Sequence, residues 1–375
     1  MLAIRGRSVV SGKVGDSVDE LDTPCLVVDL SAVEDNIARL MARLGSTGKS
    51  VRPHLKTVKS PQLAKMLIEA GAKGCCVAKV SEAEVMAHAG ITDLLITSEI
   101  VGAPKIKRLL ALVYNYPEIK VVVDSKYGAE ALDTAVKASA LPIRLKVLIE
   151  INVGQNRCGV APGEQALELA RYIASLTNLQ LVGLQGYEGH LQHLERTARQ
   201  SQCRESMQKL CDTVRQIRAA GIALGIVTTG GTGISEICAE FAEVTEVQPG
   251  SFVFMDVAYR NAIGSIYTNA LTVYATVISR PVPERAVIDA GLKSLSNDMG
   301  NAELRGCPSV SYRPGGDEHG ILNCTADNQA LTIGSRVEMI PSHIDTTVNL
   351  FDDYYVIRNG LIAAIWPILA RGKVQ

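Results

Sequence analysis

The sequence is poor in aromatic residues and has almost no charge imbalance, and each shortage excludes a class of function. Phe, Trp and Tyr make up only 4% of the 375 residues, too few for the aromatic platforms on which nucleic-acid bases stack. The formal net charge is −1, because 38 Lys and Arg residues nearly balance 39 Asp and Glu residues. Neither nucleic acid nor an anionic membrane is therefore an expected partner.

Long apolar runs and paired cysteines are also missing. No run approaches the roughly 20 apolar residues that span a bilayer, and the N-terminal segment lacks the apolar stretch of a signal peptide. The nine cysteines are scattered, with no C-x-x-C pair among them. They are expected to be reduced thiols, so the sequence predicts a cytoplasmic protein.

Short β-rich segments alternate with helical patterns from about residue 25 onward. After an apolar strand over 25–29, eight more strand candidates follow: 50–56, 74–78, 93–97, 119–124, 144–152, 179–187, 224–229 and 242–248. Helix signals separate most of them, among them capping boxes of Ser31 with Glu34 and of Ser81 with Glu84. The alternation predicts an α/β fold with a (β/α)8 barrel, and a doubly wound open sheet is the alternative.

The pattern changes beyond about residue 265. Four segments alternate without helices between them and are punctuated by Gly and Pro: 270–281, 285–291, 334–343 and 354–368. They predict an antiparallel β domain. We therefore assign residues 26–262 to the barrel, and residues 1–25 together with 263–375 to the β domain.

The end of the first barrel strand carries a candidate nucleophile. Alternation along this strand places Arg52, His54 and Lys56 on one face. Active sites of such barrels lie at the C-terminal ends of the strands. A Lys among other cations there would have its pKa lowered and act as a Schiff-base nucleophile, whereas a solvated lysine is the equally weighted alternative.

Three later strand ends carry polar loops. Arg157 stands between glycines and is suited to an anionic oxygen, with a surface ion pair as the alternative. The loop Thr228–Gly233 offers hydroxyl and N–H groups that can hold a phosphate, although it is neither a Walker loop nor a dinucleotide fingerprint. Tyr187 is suited to packing on a cofactor ring, and His190 or His193 to acting as a base, with surface histidines as the alternative.

The C-terminal region carries a candidate metal pair. In a strand, His343 and Asp345 would face the same side and share a divalent cation through nitrogen and oxygen. A histidine satisfied by the neighbouring carboxylate is the alternative. A second polar cluster, Asp317-Glu318-His319, lies in the same region.

Taken together, these segments resemble the D-threonine aldolase and D-serine dehydratase family, the fold-type III pyridoxal 5′-phosphate (PLP) enzymes related to alanine racemase. The matching stretches are TPCLVVDL, RPHLKT, KVSEAEVM, VGQNRCGVAPG, TTGGTG, EVQPGSFVFMD, DAGLKS, DEHG and PSHIDTTVNLFD. They run in order through nearly the whole chain. The resemblance implies a homodimeric enzyme that acts on a D-amino acid.

The resemblance also implies roles for individual residues. Lys56 would bind PLP covalently, Arg157 would contact its phenolic oxygen, and Tyr187 would lie near its ring. The phosphate would be held by the loop of Thr229, Gly230, Gly231, Thr232 and Gly233. Gln248 would take the place of the arginine that faces the pyridine nitrogen in alanine racemase.

The implied chemistry needs a metal and a base. His343 and Asp345 would bind a divalent metal, with Mn²⁺ expected and Mg²⁺, Co²⁺ or Zn²⁺ as alternatives. His193 would be the base near the β-hydroxyl of the substrate. The resemblance assigns no role to Glu188, His190 or His319.

Three functions follow from the resemblance. The first is an aldolase that cleaves a D-threonine-like or 3-hydroxy-D-aspartate-like substrate to glycine and an aldehyde. The alternative is a dehydratase of D-serine or D-threo-3-hydroxyaspartate, and a non-catalytic PLP-binding protein is the third. The His-x-Asp pair favours the aldolase, because the dehydratases have His-x-Cys with zinc. The chain differs from those aldolases at Glu188, where they have His, and over 257–269, and both differences are expected near the substrate pocket.

Overall fold

The structure, a computed structural model, describes residues 12–139, 142–325 and 331–375. These residues form two compact units. The barrel unit is Ile37–Phe252 with Gly372–Gln375, and the β unit is the described part of the chain up to Asn36 with Val253–Arg371. Residues 1–11, which the sequence assigns to the β domain, lie outside the described residues. Within the described ranges, no helix combines the length and apolar character needed to cross a membrane.

The barrel unit contains eight parallel strands in the order β2-β9-β8-β7-β6-β5-β4-β3. The strands are β2 (Ser50–Val51), β3 (Cys75–Val77), β4 (Leu94–Ile96), β5 (Lys120–Val123), β6 (Leu145–Ile151), β7 (Leu179–Gly186), β8 (Ile226–Thr229) and β9 (Glu246–Val247). The helices are α1 (Leu30–Gly45, which begins in the β unit), α2 (Pro61–Glu69), α3 (Val80–His88), α4 (Ala103–Asn115), α5 (Lys126–Ser139), α6 (Glu164–Ser175), α7 (Arg196–Ala219) and α8 (Ser235–Ala239).

Backbone hydrogen bonds beyond the ends of the ladders close the ring between β2 and β3. His54 forms an isolated parallel bridge with Cys76. The N–H of Leu55 donates to the carbonyl of Cys76, and the N–H of Cys76 donates to the carbonyl of Pro53, each at 2.8 Å. Buried Cys76, Leu95, Val122 and Leu148 pack together with Val182 and Ile226. The predicted barrel is thus confirmed, because closure leaves no sheet edge and the interior is filled by side chains.

All eight predicted strands are present, but two are much shorter than expected. The strand predicted over 50–56 ends at Val51, and the one over 242–248 covers only Glu246–Val247. Pro53 and Pro249 follow these strands and have no N–H to donate to a ladder.

Both predicted capping boxes are wrong. The Asp29 carboxylate, rather than Ser31, accepts the hydrogen bond from Ala32 N–H at the start of α1. At the start of α3, Glu82 accepts from the N–H groups of Ala78 and Lys79. Each helix begins earlier than its serine suggests, and a carboxylate instead of the serine accepts from N–H groups at its start.

The β unit contains nine strands in the order β11-β14-β13-β12-β15-β10-β1-β16-β17, and an extra pairing of β10 with β11 closes part of it into a barrel. The strands are β1 (Cys25–Asp29), β10 (Leu271–Val282), β11 (Arg285–Ile288), β12 (Glu303–Leu304), β13 (Ser311–Pro314), β14 (Gly320–Asn323), β15 (Arg336–Ile340), β16 (Asp353–Arg358) and β17 (Leu361–Pro367). Its helices are α9 (Val257–Ile263) and α10 (Ile344–Val348). The predicted antiparallel β domain is confirmed.

The structure places strand β1 in the β unit, whereas the assignment from the sequence begins the barrel at residue 26. β1 pairs with β10 and β16 in the β unit, where Cys25 and Val27 are buried with Leu21 and Tyr274. A short strand that is apolar on both faces fits either sheet, so its sequence alone does not say which one it joins.

A buried ion cluster lies where β4, β5 and β9 begin. Arg52 Nε lies 2.8 Å from Glu246 Oε1, and both side chains are at most 2% exposed. Asp93 Oδ1 lies 2.8 Å from both the Arg52 guanidinium and the Lys120 amine. Arg52 therefore pairs with Glu246 at the start of β9 and with Asp93 just before β4. It does not share the role predicted for Lys56.

We expect Glu246→Ala to lower the free energy of unfolding by about 3 kcal/mol, because it leaves part of a buried cation unpaired. The exposed pair of Arg43 with Glu236 is a matched control, and Glu236→Ala should cost at most about 1 kcal/mol. Urea unfolding of both variants measures the difference. Equal losses in the two variants would show that the buried cluster does not stabilise the barrel.

Candidate active site

Three residues from three different strand ends meet around one aromatic ring. The amine of Lys56 lies 6.0 Å from the centroid of the Tyr187 ring. The guanidinium carbon of Arg157 lies 5.5 Å from the same centroid. Lys56 follows β2, Arg157 follows β6 and Tyr187 follows β7. The structure therefore brings together, at the C-terminal ends of the strands, three of the predicted cofactor-binding residues.

His54 fixes the turn that carries Lys56. Its Nδ1 accepts from the Lys56 N–H at 3.3 Å, and its Nε2 donates to the Thr97 hydroxyl at 2.9 Å. Thr97 in turn donates to the Val77 carbonyl, so its oxygen is left to accept. Burial, and then the positive charges of Lys56, Lys59 and Arg157, hold the pKa of His54 well below its usual value. The imidazole is thus neutral, and its neighbours set its tautomer.

A second interaction anchors the same turn. The amine of Lys59 lies 2.6 Å from the carboxylate of Glu82, and both side chains are buried. Glu82 also caps α3, so the turn after β2 is tied to the start of this helix. Lys59 adopts a φ of +48°, which few non-glycine residues do. Neither Lys59 nor Glu82 is predicted from the sequence to be a site residue.

Arg157 and Gln248 adjoin a buried polar chain inside the barrel. The Arg157 guanidinium lies 3.9 Å from Glu150. Burial, with a contribution from the nearby Glu99 charge, raises the pKa of Glu150 to about 8. Gln185 donates to Glu150 at 3.0 Å, and Gln248 donates to Gln185 at 3.2 Å. Gln248 therefore belongs to this buried polar chain, and its contact with the pyridine nitrogen stays a prediction.

The loop Thr229–Gly233 begins at the last residue of β8, and other segments bind most of its polar groups. The Gly233 N–H donates to the Gln192 side chain at 2.9 Å, and the Gly230 N–H donates to Glu188 at 3.3 Å. The Thr232 hydroxyl accepts from Gly250 and Phe252. Within the described part of the chain, the N–H groups of Gly231 and Thr232 donate to no protein acceptor. Two adjacent N–H groups of this kind suit the oxygen atoms of a phosphate.

Gly250 brings the phosphate loop close to the lysine turn. Its N–H donates to the Thr232 hydroxyl at 3.2 Å. A Cβ atom at this position would lie 2.7 Å from the carbonyl oxygen of His54, which is too close for any side chain. Gly250 thus links the lysine turn to the glycine loop, and the residues present fit PLP: an amine, a guanidinium, an aromatic ring and free N–H donors.

The two candidate histidines after β7 lie in different places. His190 adjoins Gly154, where a Cβ atom would be 3.3 Å from its Nε2, and burial lowers its pKa. His193 is exposed and follows Gln192, the residue that holds Gly233. The role of His193 as the base stays a prediction.

The predicted metal pair lies in the β unit, but not in a strand. His343 precedes α10 and Asp345 is in its first turn, so the expected strand alternation is wrong. The turn still brings His343 Nε2 to 3.9 Å from Asp345 Oδ2. His343 Nδ1 donates to Asp298 at 2.7 Å. A histidine whose Nδ1 is held by a carboxylate presents Nε2 to a metal, so the pair fits a divalent cation.

Two aspartates that the sequence analysis did not assign support this turn. Although burial opposes it, hydrogen bonds from Ser296 and His343 hold the pKa of Asp298 below its usual value. Buried Asp256 accepts from Ile344 N–H at 3.1 Å and also caps α9. Within the described residues, no group of three or more His, Cys, Asp or Glu side chains is arranged to hold a metal. His343 and Asp345 would therefore leave coordination positions to water or substrate.

An eight-stranded parallel barrel with this lysine, arginine and glycine loop, followed by an antiparallel β unit, defines the class of fold-type III PLP enzymes. Residues 28–257 match the alanine racemase N-terminal domain, and residues 270–357 match the putative serine dehydratase domain. The chain belongs to the D-threonine aldolase and D-serine dehydratase family within this class.

Several relatives align over almost their whole length. A D-threonine aldolase from Arthrobacter is 38% identical, covering 96% of this chain and 95% of the relative. A 3-hydroxy-D-aspartate aldolase from Paracoccus denitrificans is 34% identical (96% and 94% covered). A D-threo-3-hydroxyaspartate dehydratase from Delftia is 31% identical (91% and 96% covered). The crystal structure of D-threonine aldolase from Filomicrobium marinum superposes with a TM-score of 0.93 at 35% identity, covering 98% of this chain and all of that one.

Proposed function

We propose that this protein is a PLP- and divalent-metal-dependent lyase that cleaves D-β-hydroxy-α-amino acids to glycine and an aldehyde by retro-aldol reaction. The meeting of Lys56, Arg157 and Tyr187 beside the free N–H groups of the glycine loop carries the proposal. The aldolase relatives, with 38% and 34% identity, support the choice of reaction.

The barrel unit would hold PLP. Lys56 would bind its aldehyde carbon, Arg157 its phenolic oxygen, and the loop Thr229–Gly233 its phosphate. Tyr187 would limit movement of the ring, and Gln248 would face its nitrogen. When bound, PLP supplies an electron sink for the electron pair that bond cleavage leaves on Cα. His54 keeps the Lys56 turn in place through a neutral hydrogen bond.

The β unit would hold the divalent metal, for which we propose Mn²⁺. His343 Nε2 and Asp345 Oδ2 would be the ligands, and Asp298 would keep the imidazole oriented. When bound, the cation acts as a Lewis acid toward the β-hydroxyl of the substrate. His193 would take the hydroxyl proton as the Cα–Cβ bond breaks, and a proton from solvent would then reach Cα and complete glycine.

Dehydration is the second candidate, since a D-threo-3-hydroxyaspartate dehydratase is 31% identical. The same parts would serve: Lys56 would remove the α-proton, and the hydroxyl would leave, giving ammonia and a 2-keto acid. The position where this chain departs from the aldolases, Glu188, is fully buried against the glycine loop. This departure lies beside the cofactor loop, whereas the second one, over 257–269, lies outside it.

We also propose a cytoplasmic homodimer, by resemblance. All nine cysteines are free thiols, which is consistent with a reducing compartment.

Product identification distinguishes the two reactions. With PLP and Mn²⁺, D-threonine should give glycine and acetaldehyde, and 3-hydroxy-D-aspartate should give glycine and glyoxylate. A chelator should abolish turnover, and added Mn²⁺ should restore it. Mass spectrometry of the products is the readout. Ammonia with a 2-keto acid would instead establish the dehydratase.

A further inference from the structure

Glu188 is a buried carboxyl group without a cation. It follows Tyr187 at the end of β7 and is 0% exposed. Its two oxygens accept hydrogen bonds from the Thr229 hydroxyl and from the Gly230 N–H. Within the described residues no Lys, Arg or His pairs with it. Burying an unpaired charge is costly, and burial raises the pKa of Glu188 from 4.5 to about 7.

The groups around Glu188 can also form hydrogen bonds with its protonated, uncharged carboxyl group. The Thr229 hydroxyl lies 3.9 Å from the sulfur of Met207. When Glu188 carries a proton, its O–H can donate to Thr229, whose own hydrogen then points to that sulfur. The second carboxyl oxygen still accepts from Gly230. Two thiols face this region from α7 and α8, Cys203 and Cys238, with their sulfur atoms 3.7 Å apart. Burial raises the pKa of Cys238 well above 9, so it adds no charge.

We propose that Glu188 is a positioning residue of the cofactor loop, which in its uncharged form holds Thr229 and Gly230 so that the N–H groups of Gly231 and Thr232 are left for the phosphate. The inference rests on the proposed PLP site. Glu188 accepts hydrogen bonds from two donors at the start of the loop, the Thr229 hydroxyl and the Gly230 N–H, and Gln192 accepts from the Gly233 N–H. The two N–H groups between these anchors are the ones without a protein acceptor.

The direction in which pH changes PLP affinity follows from the charge of Glu188. A phosphate beside an ionised carboxylate suffers like-charge repulsion, so binding favours protonated Glu188. Below pH 7 the carboxyl is already protonated and binding needs no proton uptake. Above pH 7 binding takes up a proton, so the PLP affinity of the wild type should fall about tenfold for each further pH unit.

Two variants test the proposal in opposite directions, with PLP and its phosphate-free analogue pyridoxal as probes titrated into the apoenzyme. Glu188→Gln keeps the shape and cannot ionise. It should match the wild type at pH 6 and bind PLP about tenfold more tightly at pH 8. Glu188→Ala loses both anchors and should weaken PLP binding at least about tenfold at every pH. Pyridoxal binding should change in neither variant.

Thr213→Val is the matched control, because the Thr213 hydroxyl also accepts from a glycine N–H, that of Gly163, but lies outside the loop. It should leave PLP affinity unchanged. Wild-type PLP affinity in Glu188→Ala, or a Glu188→Gln variant that follows the wild type at every pH, would overturn the proposal. If Glu188→Ala does not fold, Glu188→Gln alone decides. A wild type that binds no PLP would refute the proposed function itself.

Discussion

Replacing Lys56 with Ala should abolish turnover of D-β-hydroxy-α-amino acids, with a loss of at least about a thousandfold in kcat/KM. The reason is that Lys56 is the amine placed beside Tyr187 and Arg157, in contact with the phosphate loop through Gly250. Phosphate contacts alone would bind PLP weakly, so the variant should also purify without the visible absorbance of bound cofactor.

The matched control is Lys65→Ala, which removes an exposed lysine from the neighbouring helix α2. It should retain full activity and a full complement of cofactor. Borohydride reduction of the wild type, followed by peptide mapping, should find PLP attached to Lys56. Attachment to a different lysine would refute the assignment of this site.

Replacing His343 with Ala should have the second-largest effect, with a loss of at least about a hundredfold in metal-dependent activity, since one of the two proposed protein ligands disappears. Asp298→Asn should weaken metal binding by about 10- to 100-fold, because Asp298 orients His343 through its Nδ1. Mn²⁺ titrations of the PLP-loaded protein, read by calorimetry and by activity, give both values.

Asp352→Asn serves as the control for the metal site, because Asp352 is an exposed carboxylate of the β unit that pairs with Arg371. It should bind Mn²⁺ like the wild type. Unchanged Mn²⁺ affinity in both His343→Ala and Asp298→Asn would place the metal elsewhere.

The sequence predicts most of the fold because the signals of the fold are local. Period-two and period-3.6 patterns identify all eight barrel strands and the antiparallel region, and glycine and proline mark the turns. The candidate residues follow from one further rule, that barrel sites lie at the C-terminal strand ends. That rule places Lys56, Arg157 and Tyr187 in one site, as the structure shows.

The sequence does not predict the supporting contacts, because they join residues that are far apart along the chain. Asp298 and His343 are separated by 45 positions, and Glu188 and Thr229 by 41. No periodicity connects such pairs. In the sequence, Glu188 stands out only because the aldolases have His at this position. Its burial against the glycine loop is seen only in the structure. Asp256 closes a matching stretch, but its contact with Ile344 appears only in three dimensions.

The most direct test of the central claim uses D-threonine that carries deuterium at Cα, with PLP and Mn²⁺, and measures the first products formed. Retro-aldol cleavage breaks the Cα–Cβ bond and leaves the Cα–deuterium bond intact. The account predicts deuterated glycine and acetaldehyde in equal amounts, and no reaction after chelation. Release of the deuterium to water together with ammonia and a 2-keto acid would contradict it.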